Sequence, residues 1–420
     1  MKRCLFSSFL LLIFFIISAS RVSAFRWEVH PGIITTCEYS DNYFGVPDSE
    51  DPQSDTTYKI GPSLDFMIAS QNIAFNFSGY ITKDYNKRNT QNDSDEALLE
   101  SELNLTGISQ LMNLNYSYRR TTQRTTLDQT WGEYTYHTGF VEYRREFSDS
   151  DSINLRNTIE QEYAPDDSVT SDSNNLFSNS SEILLELTPR RHDRFNISGI
   201  VTDYKYTNAN RDNIVTIVSD ASWMHNLTHE LLCGLEVAYT SNSPSKNPNS
   251  DIYEGFVRGE YRVTEYIRII AKLGYSWLNQ EIEGTNGMTS GEFSIERLKD
   301  SDSFRLSGSK DYSYDYTTGS TYGMYSVTSG YLSWTHFFMR NFSSAITGNI
   351  TKRIPVSNMQ VGSTDYSAGL TLRYIPVEWA TVSGSYNYLE TSYNDIPETY
   401  VGNTDKRREN RCTINIEVRY

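Results

Sequence analysis

The chain has 420 residues and a formal charge of −16, from 53 acidic side chains against 37 Lys and Arg. That balance excludes nucleic acid as a partner, because phosphate backbones require basic surface, and it argues against a basic helix lying on a membrane. With 31 Tyr, 19 Phe and 6 Trp against 4 Cys, the composition suits strands and wet–dry boundaries and excludes a disulfide framework.

The N-terminus opens with Lys2 and Arg3, runs apolar from Phe9 to Ile17 and reaches Val22-Ser23-Ala24 before Phe25. This reads as a secretory signal over residues 1–24 with an A-x-A-like cleavage site. Losing Lys2, Arg3 and Arg21 takes the formal charge from −16 to −19, since no acidic residue leaves with them.

From Phe25 onward, alternating runs of about ten residues repeat to the end of the chain, the mark of strands with two unlike faces. The first spans Trp27–Tyr39. Ile73, Phe75, Phe77, Gly79 and Ile81 then alternate with Ala74, Asn76, Ser78 and Tyr80. Leu99, Leu103 and Leu105 alternate with Glu100, Glu102 and Asn104. Tyr253, Val257 and Tyr261 oppose Glu254, Arg258, Glu260 and Arg262; Ile267, Ile269, Leu273, Tyr275 and Trp277 oppose Arg268 and Lys272. Tyr366, Leu370, Leu372 and Tyr374 oppose Arg373, and the last run, Arg411–Tyr420, ends on an aromatic. Connections alternate between short turns, such as Ser70-Gln71-Asn72 and Arg340-Asn341, and long polar loops such as KDYNKRNTQNDSDE, PDDSVTSDSN and SNSPSKNPNSD.

Two soluble sandwiches would also alternate, but their loops show no long–short rhythm and a sheet this large would leave bare edges. The pattern predicts an all-β fold: residues 25–420 as a single closed antiparallel up-and-down transmembrane β-barrel. It would have about 20 strands (18–22), short periplasmic turns and long extracellular loops. Doubtful strands lie near 131–147 and 288–300. Aromatics at strand ends (Tyr39, Tyr58, Tyr80, Tyr116, Tyr118, Tyr261, Tyr266, Tyr275, Trp277, Tyr374 and Trp379) read as interfacial girdles contacting outer-membrane lipid. Tyr420, with apolar residues at every second place before it, is the candidate assembly signal.

A barrel this wide leaves a water-filled lumen. Its candidate lining residues are Glu254, Arg258, Glu260, Arg262, Arg268, Lys272, Arg305, Arg373, Arg411, Glu417 and Arg419. The basic ones read either as a ladder for an anionic solute or, preferred, as members of a mixed-charge wall paired strand to strand. The stretch YDYTTGSTYGM at 314–324 is a candidate constriction loop. No enzyme motif stands out: His225 and His229 fall at a turn without an acidic third ligand, and no G-x-S-x-G or phosphate-binding glycine loop occurs. No cofactor or metal is expected. Cys37 and Cys412 would lie on neighbouring strands of a closed sheet, as free thiols or as a bridged pair.

Within HPGIITTCEYSDNYFGVPD, the stretch Glu38-Tyr39-Ser40-Asp41-Asn42-Tyr43-Phe44 resembles a motif at the start of bacterial outer-membrane β-barrel porins and PEP-CTERM-associated outer-membrane proteins. Ser383–Tyr388 is similar as well. Asp41 and Asn42 would turn the chain at the membrane edge, and Tyr43 and Phe44 would anchor at the interface. The resemblance implies an exopolysaccharide system, with a periplasmic polysaccharide-export protein on the short-turn side. The expected function is an outer-membrane passage for secreted polysaccharide. The alternatives are a diffusion porin for small solutes and a non-conducting adhesive barrel.

Overall fold

The computed structural model describes residues 25–43, 46, 48–124, 131–163, 175–207, 212–246, 248–281, 284–315, 323–356, 361–394 and 406–419. The expected leader, the stretch PDDSVTSDSN, Phe44 and Tyr420 lie outside them.

In chain order the strands are β1 (Arg26–Ser40), β2 (Asp55–Ala69), β3 (Ile73–Asn86), β4 (Ser94–Thr106), β5 (Gln110–Arg124), β6 (Trp131–Glu146), β7 (Ser152–Tyr163), β8 (Leu176–Arg190), β9 (Asp193–Tyr206) and β10 (Ile214–Asn226). They continue with β11 (Leu231–Pro244), β12 (Ser250–Arg262), β13 (Ile267–Gln280), β14 (Gly284–Lys299), β15 (Asp302–Asp315), β16 (Gly323–Met339), β17 (Phe342–Pro355), β18 (Gly362–Val377), β19 (Ala380–Asn394) and β20 (Arg407–Arg419). Both doubtful regions are strands, β6 and β14.

Each strand pairs antiparallel with its chain neighbours, and β1 pairs with β20 from Gly32 opposite Arg419 to Ser40 opposite Arg411. The 20-stranded sheet is therefore closed. Closure gives every strand two hydrogen-bonded neighbours, which lipid demands because it supplies no hydrogen bonds itself.

The outward face is apolar and bare. Leu273 is 71% exposed, Val257 62% and Ile414 57%, values untenable for so many neighbouring apolar side chains in water. The alternate face carries most of the ion pairs; outward ones, such as Lys83–Asp95 and Lys205–Asp203, lie toward the strand ends. Cys37 and Cys412 both face outward as free thiols; Cys412 sits opposite Tyr39 and Cys37 opposite Ile414, so the two are out of register.

Strand length differs from the sequence reading. Strands run from 12 to 17 residues, whereas crossing lipid takes only about 9–11. β3 and β4 consume much of KDYNKRNTQNDSDE, and β11 runs to Pro244 within SNSPSKNPNSD. Beyond the bilayer both faces meet water, so apolar alternation fades while the hydrogen-bond ladder continues.

The Ser40–Tyr43 stretch also differs from expectation. Asp41 and Asn42 leave β1, but they clasp the seam rather than simply turning the chain. The Asp41 carboxylate accepts from the Asn410 backbone and amide, both at 2.7 Å. Asn42, 1% exposed, donates to the carbonyls of Val46 and Arg408 at 2.8 Å and accepts from the Val46 N–H at 3.0 Å. Tyr43 is not an interfacial anchor: it is buried and donates to Asn86 Oδ1 at 2.9 Å. Tyr80 likewise leaves the expected girdle, because it shares the inner face with Glu96, 3.4 Å from its hydroxyl.

Candidate functional site: the inner wall and its inward hairpin

The lumen-lining candidates fall in two groups. Around β11–β15 they form one network. Arg258 donates to Glu260 at 2.7 Å and lies 3.7 Å from Glu236; Lys272 reaches Glu236 at 2.5 Å. Arg268 pairs with Glu296 at 2.7 Å and stands 3.9 Å from Glu260, and Arg305 lies 3.6 Å from Glu296. Glu254 accepts from the Ser276 hydroxyl at 2.5 Å. Each of these cations meets a carboxylate on its own strand or one or two strands away, so they make a mixed-charge wall and not a bare basic ladder.

The second group sits beside the seam. Arg411 pairs with Glu409 at 2.8 Å and Glu38 at 3.6 Å; Arg419 pairs with Glu417 at 2.5 Å and Asp65 at 2.8 Å. Arg262 and Arg373 have no ion pair among the described residues. Arg262 ends β12 opposite Arg268, and Arg373 stands between Ser343 and Ser383.

A third region escaped the sequence reading. From β2 to β8 the inner face is rich in carboxylates and rings. Lys59 bridges Glu96 at 2.6 Å and Asp84 at 3.2 Å. Glu102 accepts from Asn113 at 3.0 Å, Glu142 from Asn154 at 2.7 Å and Glu186 from Ser152 at 2.8 Å. Tyr134 and Tyr136 lie 6.2 Å apart and nearly parallel, and the Arg156 guanidinium sits 4.2 Å over the Phe140 ring. The register places Thr138, Glu160, Ser178 and Tyr204 side by side across β6–β9. Alternation already puts Glu100 and Glu102 on the polar face, which is the signal in the sequence that points to this region.

One element enters the lumen. β14 and β15 pair only from Gly291 opposite Lys310 to Lys299 opposite Asp302. Beyond Lys310, β15 stays paired with β16 but leaves β14. This hairpin folds against the inner face of β12 and β13. Met324, 1% exposed, packs on Ile252 and Leu278, with Tyr312, Tyr314 and Val356 around it. Ser326 Oγ lies 3.2 Å from Met288 Sδ, and the Tyr325 hydroxyl donates to the Val361 carbonyl at 3.4 Å. Asp311, one residue past Lys310, stands near Glu254 and Lys272 of the inner wall. The expected constriction stretch 314–324 is thus part of this hairpin at both flanks; its residues 316–322 lie outside the described set.

Of the other residues weighed in the sequence, His225 faces outward and meets Asp193 at 2.8 Å, and His137 Nδ1 lies 2.8 Å from the Tyr116 hydroxyl.

No family model matches the chain, and no curated protein matches it. Solved structures do. The siderophore receptor PirA from Pseudomonas aeruginosa is similar with a TM-score of 0.54 at 9% identity, over 96% of this chain and 81% of that one. The copper transporter OprC gives 0.55 at 8% identity, over 96% and 81%. A mutant of the ferric enterobactin receptor from P. aeruginosa gives 0.54 at 9% identity, over 94% and 80%. At such identities the likeness is one of fold, and the fold is that of outer-membrane barrels. A closed 20-stranded wall with a bare apolar exterior and a charged interior makes this chain an outer-membrane β-barrel of the Gram-negative envelope.

Proposed function

We propose that the barrel is a passive passage for a hydroxyl-rich polar solute, a saccharide chain of the kind that the Glu38–Phe44 resemblance implies. The carrying observation is the inner face of β3–β9, where tyrosine and phenylalanine rings stand among carboxylates: Tyr80 by Glu96, Tyr136 opposite Glu162, Tyr204 in register with Ser178 and Glu160. Rings offer flat apolar surface to a sugar face, and carboxylates accept its hydroxyl protons. Such a wall replaces the hydration that a sugar would lose in lipid. The inward hairpin narrows the passage beside β12 and β13. On this reading a periplasmic export protein docks at the short-turn end.

A second reading has its own observation. Carboxylates outnumber cations on the inner face of β3–β8, where Glu100, Glu102, Glu160 and Glu182 stand in a chain of net charge −16. A low-dielectric wall of one sign concentrates counter-ions, which suits a small-cation diffusion channel.

Conductance in planar bilayers separates the two. The saccharide reading expects cation-favouring channels that neutral maltohexaose blocks transiently, with Tyr136→Ala and Tyr204→Ala shortening the blocks. Channels indifferent to maltohexaose at millimolar concentration would remove the saccharide reading and leave cation diffusion.

A further inference from the structure

On the outer wall of β15–β19 a groove of about 830 Å³ opens toward lipid. Leu306, Leu332, Ile350 and Tyr366 form its sides, Gly330 and Gly348 keep its floor low, and the Glu390–Lys406 ion pair closes its β19 edge. Register places the sides and floor on the outward face. A trough of this kind takes a hydrocarbon chain.

Its extracellular margin is different. Lys310, Thr328 and Lys352 stand side by side on β15, β16 and β17, one outward position beyond Gly308, Gly330 and Ile350. Both lysines are exposed. With one strand between them, their backbones are about 10 Å apart. Neither has an ion-pair partner among the described residues. The neighbouring rule on this face is the opposite: Lys83 holds Asp95 at 3.0 Å, Lys205 holds Asp203 at 2.7 Å and Lys406 holds Glu390 at 2.5 Å. Two unneutralised cations at the rim of an apolar groove, in a chain of charge −16, call for an anion from outside the protein.

We propose that this strip binds a phosphate-bearing, acylated lipid of the outer leaflet. An acyl chain fills the groove, and the headgroup phosphate lies between Lys310 and Lys352. A second outward groove, on β6–β10, is lined by Val141, Leu155, Ile183 and Val201. The lysine on that arc, Lys205, is already neutralised, so the second groove serves as an internal control.

The test is native mass spectrometry of the full barrel in detergent, titrated with lipid A and with dephosphorylated lipid A. The wild type is expected to prefer the phosphorylated form by about tenfold or more. Lys310→Gln with Lys352→Gln removes that preference, Ala368→Trp at the groove floor weakens both lipids, and Val201→Trp in the control groove changes neither. All four positions face outward, and heat-dependent gel migration reports that each variant is folded. Equal binding of the two lipids by the wild type overturns the proposal. So does a preference that survives the double lysine variant, or binding untouched by Ala368→Trp.

Discussion

At the scale of single residues, two positions concentrate the physics. Asn42 is buried at the seam and makes three hydrogen bonds through its side chain, to Val46 and Arg408. Truncation strands the Arg408 carbonyl and the Val46 N–H. Asn42→Ala should therefore cost about 1–3 kcal/mol, read as a lower urea midpoint for loss of the heat-resistant folded band. An unchanged midpoint would mean that the clasp contributes nothing. Lys272 is the second position. It holds Glu236 at 2.5 Å and sits 3.9 Å over the Phe256 ring. Lys272→Met leaves that carboxylate without its nearest cation, so the channel should become more cation-favouring in a KCl gradient. An unchanged reversal potential would mean that the pair does not set the field of the lumen.

Among the elements, the β15–β16 hairpin is the one that departs from the regular wall. Its docking rests on Met324 against Ile252 and Leu278, side chains that would otherwise be apolar patches in a wet lumen. Met324→Asp places a charge in that cluster, which should release the hairpin and raise single-channel conductance severalfold without loss of the barrel. Conductance equal to wild type would mean that the hairpin does not narrow the passage. β2 illustrates a different constraint. Its pairing with β3 skips Gly61 and Pro62, and a Cβ at Gly61 would sit 1.8 Å from the Ile81 carbonyl oxygen. Pro62 has no N–H for the ladder. Gly61→Val should thus block assembly, seen as loss of the heat-modifiable form while Ala69→Val assembles normally.

The legibility of this molecule follows the same division. Strands such as Ile267–Trp277 and Tyr366–Tyr374 were readable because lipid and water impose opposite demands on alternate residues. The extensions of β3 past Thr82 and of β11 to Pro244 were not, since water on both sides leaves no period to detect. The charged residues of β12–β15 were assignable to one face, but their pairing was not, because which carboxylate meets which cation depends on inter-strand register: Glu296 pairs across both β13 and β15, and Lys272 reaches past β12 to Glu236. The role of Tyr43 was misread for a related reason: an aromatic at a strand end looks the same whether it meets lipid or Asn86. The stretch 314–324 reads as a constriction loop, yet the signal that β15 abandons β14 beyond Lys310 lies in register, which no local pattern records.

For the molecule as a whole, the twenty strands, the pairing of β1 with β20 and the split between an apolar exterior and a charged interior reduce to one claim: the chain encloses water within lipid. Single-channel recording on the purified barrel in planar bilayers tests it most directly. The account predicts discrete conductance steps with cation-favouring reversal potentials in a KCl gradient. Folded, heat-modifiable protein that inserts into the bilayer and passes no current would contradict it.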